Sequence, residues 1–274
     1  MKKVVLAFDG TNYSEGSLAF AAGLNKQAPI LLTGSFLPQI DLSSSWSYAL
    51  GSPGLFNPTL EDFNGEVVEE HIRKFEKTCN AEGIEWRVHK YPYDMAMPEI
   101  RKESRFADLL VLGGETFYDR YGTERPNEYL KMALQEAECP VVVVPESFDF
   151  PSRIVLAYDG SEDSVYAIRQ FALLFPEMAK WPATLVHTTA KEHGGLPEKD
   201  YILELCTRHY PDLTVKMLES STRKQFREWL NEHPASMLVC GAYGRSDLSM
   251  MFRQSFAAGA INDHTYPVFI AHRS

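Results

Sequence analysis

The chain has 274 residues, 27 Lys and Arg against 37 Asp and Glu, and a formal net charge of −10. An apolar content of 45% with 23% charged residues excludes a disordered chain, which buries too little apolar surface to offset its ordering entropy. Only 4 Cys beside 17 Gly and 16 Pro exclude disulfide-dense and collagen-like scaffolds.

Met1-Lys2-Lys3 and the apolar Val4 to Phe8 start like a secretory signal, but Asp9 ends the run after five residues. A signal core needs about 7 to 15 apolar residues, so this segment is predicted as a strand. Further strands are predicted near 30–36, 84–90, 107–113 and 140–145, with helices near 64–82, 96–105 and 127–137. Ile154 to Tyr158 is a continuous apolar run, as in a parallel strand covered on both faces. Val165, Ile168, Ala172 and Phe175 then recur on one face of a helix. Strands follow near 183–188, 212–218, 235–241 and 267–272, and helices near 197–209, 222–232 and 248–263. Parallel strands need crossover helices, so the pattern predicts a doubly wound α/β fold.

Three segments repeat in order. Lys3-Val-Val-Leu-Ala-Phe-Asp-Gly-Thr11 matches Arg153-Ile-Val-Leu-Ala-Tyr-Asp-Gly-Ser161 at an offset of 150. Ala107 to Gly113 matches Ala235 to Gly241 at 128, and Cys139 to Val144 matches Tyr266 to Ala271 at 127. The chain therefore reads as two copies, 1–148 and 149–274, joined near Ser147 to Pro151. The first copy is longer by about 22 residues, placed at Pro38 to Pro58; a loop of that length without its own structure is usually functional or mobile. Residues 1–148 hold 14 basic and 22 acidic side chains, and residues 149–274 hold 13 and 15. Neither copy has the basic excess that nucleic-acid binding requires.

Cys79, Cys139, Cys206 and Cys240 form no CxxC, which fits small buried thiols in a reducing cytoplasm. The longest uncharged stretch, Leu42 to Leu60, is interrupted by Gly, Pro and Ser, so no membrane span is expected.

Ligands of open parallel sheets bind beyond the carboxyl ends of the strands, where strand order switches. In the second copy that edge carries Asp159-Gly160-Ser161 and Gly241-Ala-Tyr-Gly244-Arg245-Ser246. Asp159 is placed to accept a hydrogen bond from a ribose or an adenine amine; alternatively, Asp with Ser161 or Thr11 caps the following helix. The two glycines let a backbone approach an anion at a helix N-terminus, with Arg245 and Arg253 adding charge-assisted contacts. The first copy has Gly113-Gly-Glu115-Thr116-Phe-Tyr-Asp119 there, with carboxylates where phosphate would lie, and is read as empty. No Walker A loop, GxSxG elbow or HExxH is present, and His187, the one histidine at that edge, reads as structural. No nucleophile is paired with a base, so an enzyme is not expected.

The Asp-Gly-Thr/Ser turns, the Gly241-to-Ser246 loop and the terminal Pro-Val strands resemble the universal stress protein family across the whole chain. The resemblance implies two tandem Rossmann-like domains of five parallel strands each. It also implies an intrachain pseudo-dimer through Val141 to Val144 and Val268 to Ala271, leaving open further pairing of whole chains. Nucleotide-binding members carry Gly-x2-Gly-x9-Gly-Ser/Thr; here Gln254 stands at the last glycine and Ser255 follows it. The implied site is Asp159, Gly241, Gly244 and Ser255, flanked by Ala157 and Cys240, with ATP or AMP as ligand. The alternative is a nucleotide-free scaffold that binds unidentified proteins through the 38–58 loop and the acidic first copy. More distantly, Asp159-Gly-Ser-Glu-Asp163-Ser164 is similar to the pyrophosphate loop of ATP pyrophosphatases, but only Gly160 and Asp163-Ser164 agree.

Overall fold

The computed structural model describes residues 1–37, 59–91, 96–119, 127–188, 195–218, 223–241 and 256–271. In the first half they form β1 (Lys2–Phe8), α1 (Glu15–Gln27), β2 (Ile30–Phe36), α2 (Thr59–Ala81), β3 (Glu85–Lys90), α3 (Ala96–Arg105), β4 (Leu109–Gly113), α4 (Glu128–Glu136) and β5 (Val141–Val144). The second half gives β6 (Arg153–Ala157), α5 (Glu162–Leu174), a 3₁₀ turn (Met178–Lys180), β7 (Ala183–Thr188), α6 (Lys199–His209) and β8 (Leu213–Leu218). It ends with α7 (Arg223–Asn231), β9 (Ser236–Gly241), α8 (Phe256–Asp263) and β10 (Val268–Ala271).

The strands make one ten-stranded sheet in the order β3-β2-β1-β4-β5-β10-β9-β6-β7-β8. Each half contributes the same order, outward from the middle. Every neighbouring pair is parallel except β5 and β10, which meet antiparallel with Val143 opposite Val268, Val142 opposite Phe269 and Val141 opposite Ile270. Pairing these two strands removes the two edges that would otherwise present unbonded backbone to other chains.

Alternation along the strands explains the two cores. Val4, Leu6 and Phe8 face one side with Phe20, Phe36, Phe75, Phe171 and Phe269, while Val5 and Ala7 face the other with Leu112, Val143, Phe226 and Ile270. Helix α2 buries Val68, Ile72, Phe75 and Cys79 at helical spacing. On α5, Ile168 and Ala172 are buried with Phe175 just beyond, and Val165 packs partly buried against the same core while also lining a groove of about 400 Å³ beside α6. The segment joining the halves is packed: Phe148 and Phe150 lean on Phe20, and Phe150 meets Trp181 edge-on at 6.3 Å. The 38–58 loop lies outside the described residues. No helix among the described residues is long and apolar enough to cross a membrane.

All four cysteines are unpaired, and burial pushes each thiol up to about 12. Thiols of the unfolded chain ionise near 9, so between about 9 and 12 the folded state holds more protons and stability falls as pH rises. Below that window the thiols contribute no pH dependence. Urea unfolding from pH 7 to 11 should show this, with a shallower decline in Cys206→Ala. At pH 8 Cys79, Cys206 and Cys240 should resist a disulfide reagent until urea is added; prompt labelling of the native protein at these three would contradict their burial.

Candidate functional site

The switch in strand order falls between β1 and β4 in the first half and between β6 and β9 in the second. Both strands β1 and β6 end in an Asp-Gly turn whose glycine has positive φ, +80° at Gly10 and +88° at Gly160. Beyond that point the halves diverge.

In the first half Asp9 is only 2% exposed. Its Oδ1 accepts from Thr11 N at 2.8 Å, Thr11 Oγ1 at 3.0 Å and Asn12 N at 2.7 Å. Its Oδ2 accepts from Asn12 Nδ2 at 2.9 Å and from Tyr118 N at 2.8 Å. Five internal donors leave a ligand little to bind. Tyr118 has φ of +52°, an uncommon conformation for a bulky residue, and its buried N–H is fixed by Asp9 while its hydroxyl donates to Leu37 O. Asn12 adds a second tie, donating to Thr116 O at 2.9 Å. Asp9 therefore fastens the loop after β4 to the turn after β1.

Thr11 does not cap α1. The cap is Ser14, three residues later, which accepts from Ser17 N at 3.1 Å. The extra residues include Tyr13, whose ring stacks on Phe8 at 5.0 Å and leans on His71 at 5.3 Å. Burial, and then the nearby Lys74 charge, lower the His71 imidazole from its ordinary value.

The space beside Gly113 is filled as well. A Cβ at residue 113 would lie 2.3 Å from Thr116 Oγ1 and 2.8 Å from Ser14 Oγ. Thr116 Oγ1 donates to Glu146 Oε1 at 3.2 Å, Ser14 Oγ donates to the same oxygen, and Gly16 N donates to Glu146 Oε2 at 3.2 Å. Sequence reasoning placed the repelling carboxylates at Glu115 and Asp119. The carboxylate at the α1 N-terminus is instead Glu146, which follows β5. A position just past the strand beside β4 was the available signal.

In the second half the turn is short, and Ser161 caps α5 directly, accepting from Ser164 N at 3.2 Å. Asp159 is exposed, with Oδ1 accepting from Ser161 N at 2.9 Å. Leu156 lies opposite Val239, so Ala157 and Cys240 follow at the ends of adjacent strands, both buried. The Cys240 thiol donates to Phe269 O and is held protonated by burial and then by the nearby Asp159 charge. At Gly241 a Cβ would lie 2.4 Å from Asp163 C and 2.6 Å from Ser164 N, so the bare glycine lets the first turn of α5 close on β9. Ala157, Asp159, Cys240 and Gly241 are thus gathered at one strand edge, while Gly244, Arg245 and Ser255 lie outside the described residues. His187 is buried, its Nδ1 at 2.8 Å from Tyr158 O, as a structural histidine requires. Among the described residues no cluster of His, Cys, Asp or Glu has the makings of a metal site.

No family model matches the sequence, and no curated protein matches it. Solved structures do. A universal stress protein from Archaeoglobus fulgidus DSM 4304 superposes with a TM-score of 0.69 at 17% identity, over 99% of this chain and 98% of its own. A putative universal stress protein from Pseudomonas aeruginosa UCBPP-PA14 gives 0.56 at 11%, over 99% and 93%. A functionally unknown protein from Pseudomonas aeruginosa PAO1 gives 0.54 at 12%, over 99% and 92%. The chain has the α/β fold of the universal stress proteins, over its whole length.

Proposed function

We propose that this chain is a tandem universal stress protein, a binding and regulatory module with a single adenine-nucleotide site in its second half. The observation that carries the reading is the contrast between equivalent aspartates. Asp9 is buried under five internal hydrogen bonds, whereas Asp159 is exposed at the matching strand end. Ala157, Asp159, Cys240 and Gly241 would border the nucleoside, and Gly244, Arg245 and Ser255 would hold phosphate. The sheet's carboxyl edge and the N-terminus of a following helix supply the polarity such an anion needs.

Calorimetry with ATP, ADP and AMP on the wild type and on Gly244→Asp tests this. Binding is expected in the wild type and a loss of at least about tenfold in affinity in the variant, since a carboxylate would face the phosphates. Equal heats for both proteins would remove the site. Gln254, which replaces the last glycine of the family pattern, favours a second reading, a scaffold for other proteins that binds no nucleotide. An unchanged melting temperature in all three nucleotides would decide for the scaffold.

A further inference from the structure

We propose that Glu146 is a tethered anion that occupies the first half's own anion place and keeps that half closed to free phosphate. Open α/β sheets receive anions where the strand order switches, against a helix N-terminus with unbonded N–H groups. Here that place lies between β4 and α1, and it already holds a carboxylate. Glu146 takes one bond from backbone, Gly16 N at 3.2 Å, and two from hydroxyls, Ser14 Oγ and Thr116 Oγ1. Backbone N–H and flanking hydroxyls are the donor set a phosphate would use, and charge-assisted bonds of this kind are about twice as strong as neutral ones.

The chain is shaped to deliver this side chain. A Cβ on Gly16 would sit 2.1 Å from Pro145 O and 2.7 Å from the Glu146 Cα, so only glycine lets the segment after β5 cross the start of α1. Thr116, which stands in place of a loop glycine, contributes its hydroxyl to the carboxylate. Glu115 Oε1 in turn accepts from Glu146 N at 3.3 Å, fixing the backbone that carries the plug. In sequence, the offset of 127 that aligns the last strands puts Arg273, outside the described residues, opposite Glu146. A tethered group acts at an effective concentration of about millimolar or above, so dilute free phosphate does not displace it. The inference concerns the first half only and stands whether or not the second half binds nucleotide.

The test compares the full-length wild type, Glu146→Ala and Glu146→Ala/Thr116→Val. Melting is followed in chloride, formate and phosphate at matched ionic strength. Glu146→Ala should melt about 3–6 °C lower in chloride and regain at least half of that loss in tens of millimolar formate or phosphate. The wild type should respond alike to all three salts, and adding Thr116→Val to Glu146→Ala should weaken the rescue, since Gly16 N and Ser14 Oγ remain as donors. Equilibrium dialysis should find one more phosphate on Glu146→Ala than on the wild type. Any phosphate bound by the second half is common to both and cancels. A variant that responds to anions as the wild type does, or a rescue indifferent to Thr116, overturns the proposal. Should Glu146→Ala be recovered unfolded, refolding yield in formate against chloride gives the same decision. A higher yield in formate supports the plug, and equal yields overturn it.

Discussion

Asp9→Ala is expected to destabilise the chain by about 3–5 kcal/mol, whereas Asp159→Ala costs less than about 1 kcal/mol. The two residues occupy the same place in the repeat and the same Asp-Gly turn, so sequence alone gives no reason for a difference. The difference comes from where their hydrogen bonds go. Removing the Asp9 carboxylate strands the N–H groups of Thr11, Asn12 and Tyr118, and a stranded buried donor costs about 1–3 kcal/mol. Thr11 and Asn12 are half-buried, so water recovers part of their loss; Tyr118 is fully buried and recovers none. Tyr118 also loses the contact that holds its left-handed backbone, and with it the loop after β4. Asp9→Asn keeps one acceptor oxygen but turns an amide group toward other donors, and should fall between wild type and Ala. Asp159 is exposed, so water takes over the hydrogen bonding its carboxylate offers, the bond from Ser161 N included. Urea midpoints at constant m-value measure all three. Losses of similar size for Asp9→Ala and Asp159→Ala would show that the buried network does not carry this stability.

Phe269→Ala should cost a further class of stability, about 3–5 kcal/mol, by emptying the core at the junction of the halves. Phe269 is fully buried on β10, edge-on to Phe171 at 5.2 Å and to Phe175 at 6.2 Å, and it stands opposite Val142 of β5. Its ring is therefore packed by second-half residues, while its backbone lies between β9 of its own half and β5 of the first. The cavity should lower the midpoint reported by Trp86, in the first half, together with that reported by Trp181 and Trp229, in the second. Val215→Ala on the outer strand β8, where the side chain is 45% exposed, should stay within about 0.5 kcal/mol. A loss below about 1 kcal/mol for Phe269→Ala, or a shift confined to the second-half tryptophans, would argue that the junction transmits little between the halves.

The strands were legible because the sheet is covered on both faces. Continuous runs such as Ile154 to Tyr158 and Val141 to Val144 have no polar side to show, and the Gly and Asp residues that follow them end the pattern cleanly. The repeat divided the chain into halves, the resemblance to the universal stress proteins implied the pairing of the last strands, and the structure shows that pairing between β5 and β10. Periodicity did not yield a range for α1, which buries Leu18, Phe20 and Leu24 together with the small Gly16, Ser17, Ala21 and Ala22 around most of its circumference, so no single apolar face stands out. Ala157, Asp159, Cys240 and Gly241, which the strand-end rule and the family resemblance singled out, lie together because β6 and β9 are neighbours in register. Ser14 was missed because three extra residues separate the Asp-Gly turn from the helix, and Thr11 offered a plausible cap sooner. Glu146 was missed for a deeper reason. It lies 130 residues from Gly16 in the chain, and only the three-dimensional adjacency of β5, β4 and β1 brings its carboxylate to that helix.

The single antiparallel seam between β5 and β10 has a directional consequence. Since every other pairing is parallel, the strands of one half run opposite to those of the other across the whole plate. The rim bearing Asp9 and Gly113 therefore faces away from the rim bearing Asp159 and Gly241. The sheet thus carries two opposed rims, one with the buried Asp9 and the other with the exposed Asp159, joined through the antiparallel seam of β5 and β10.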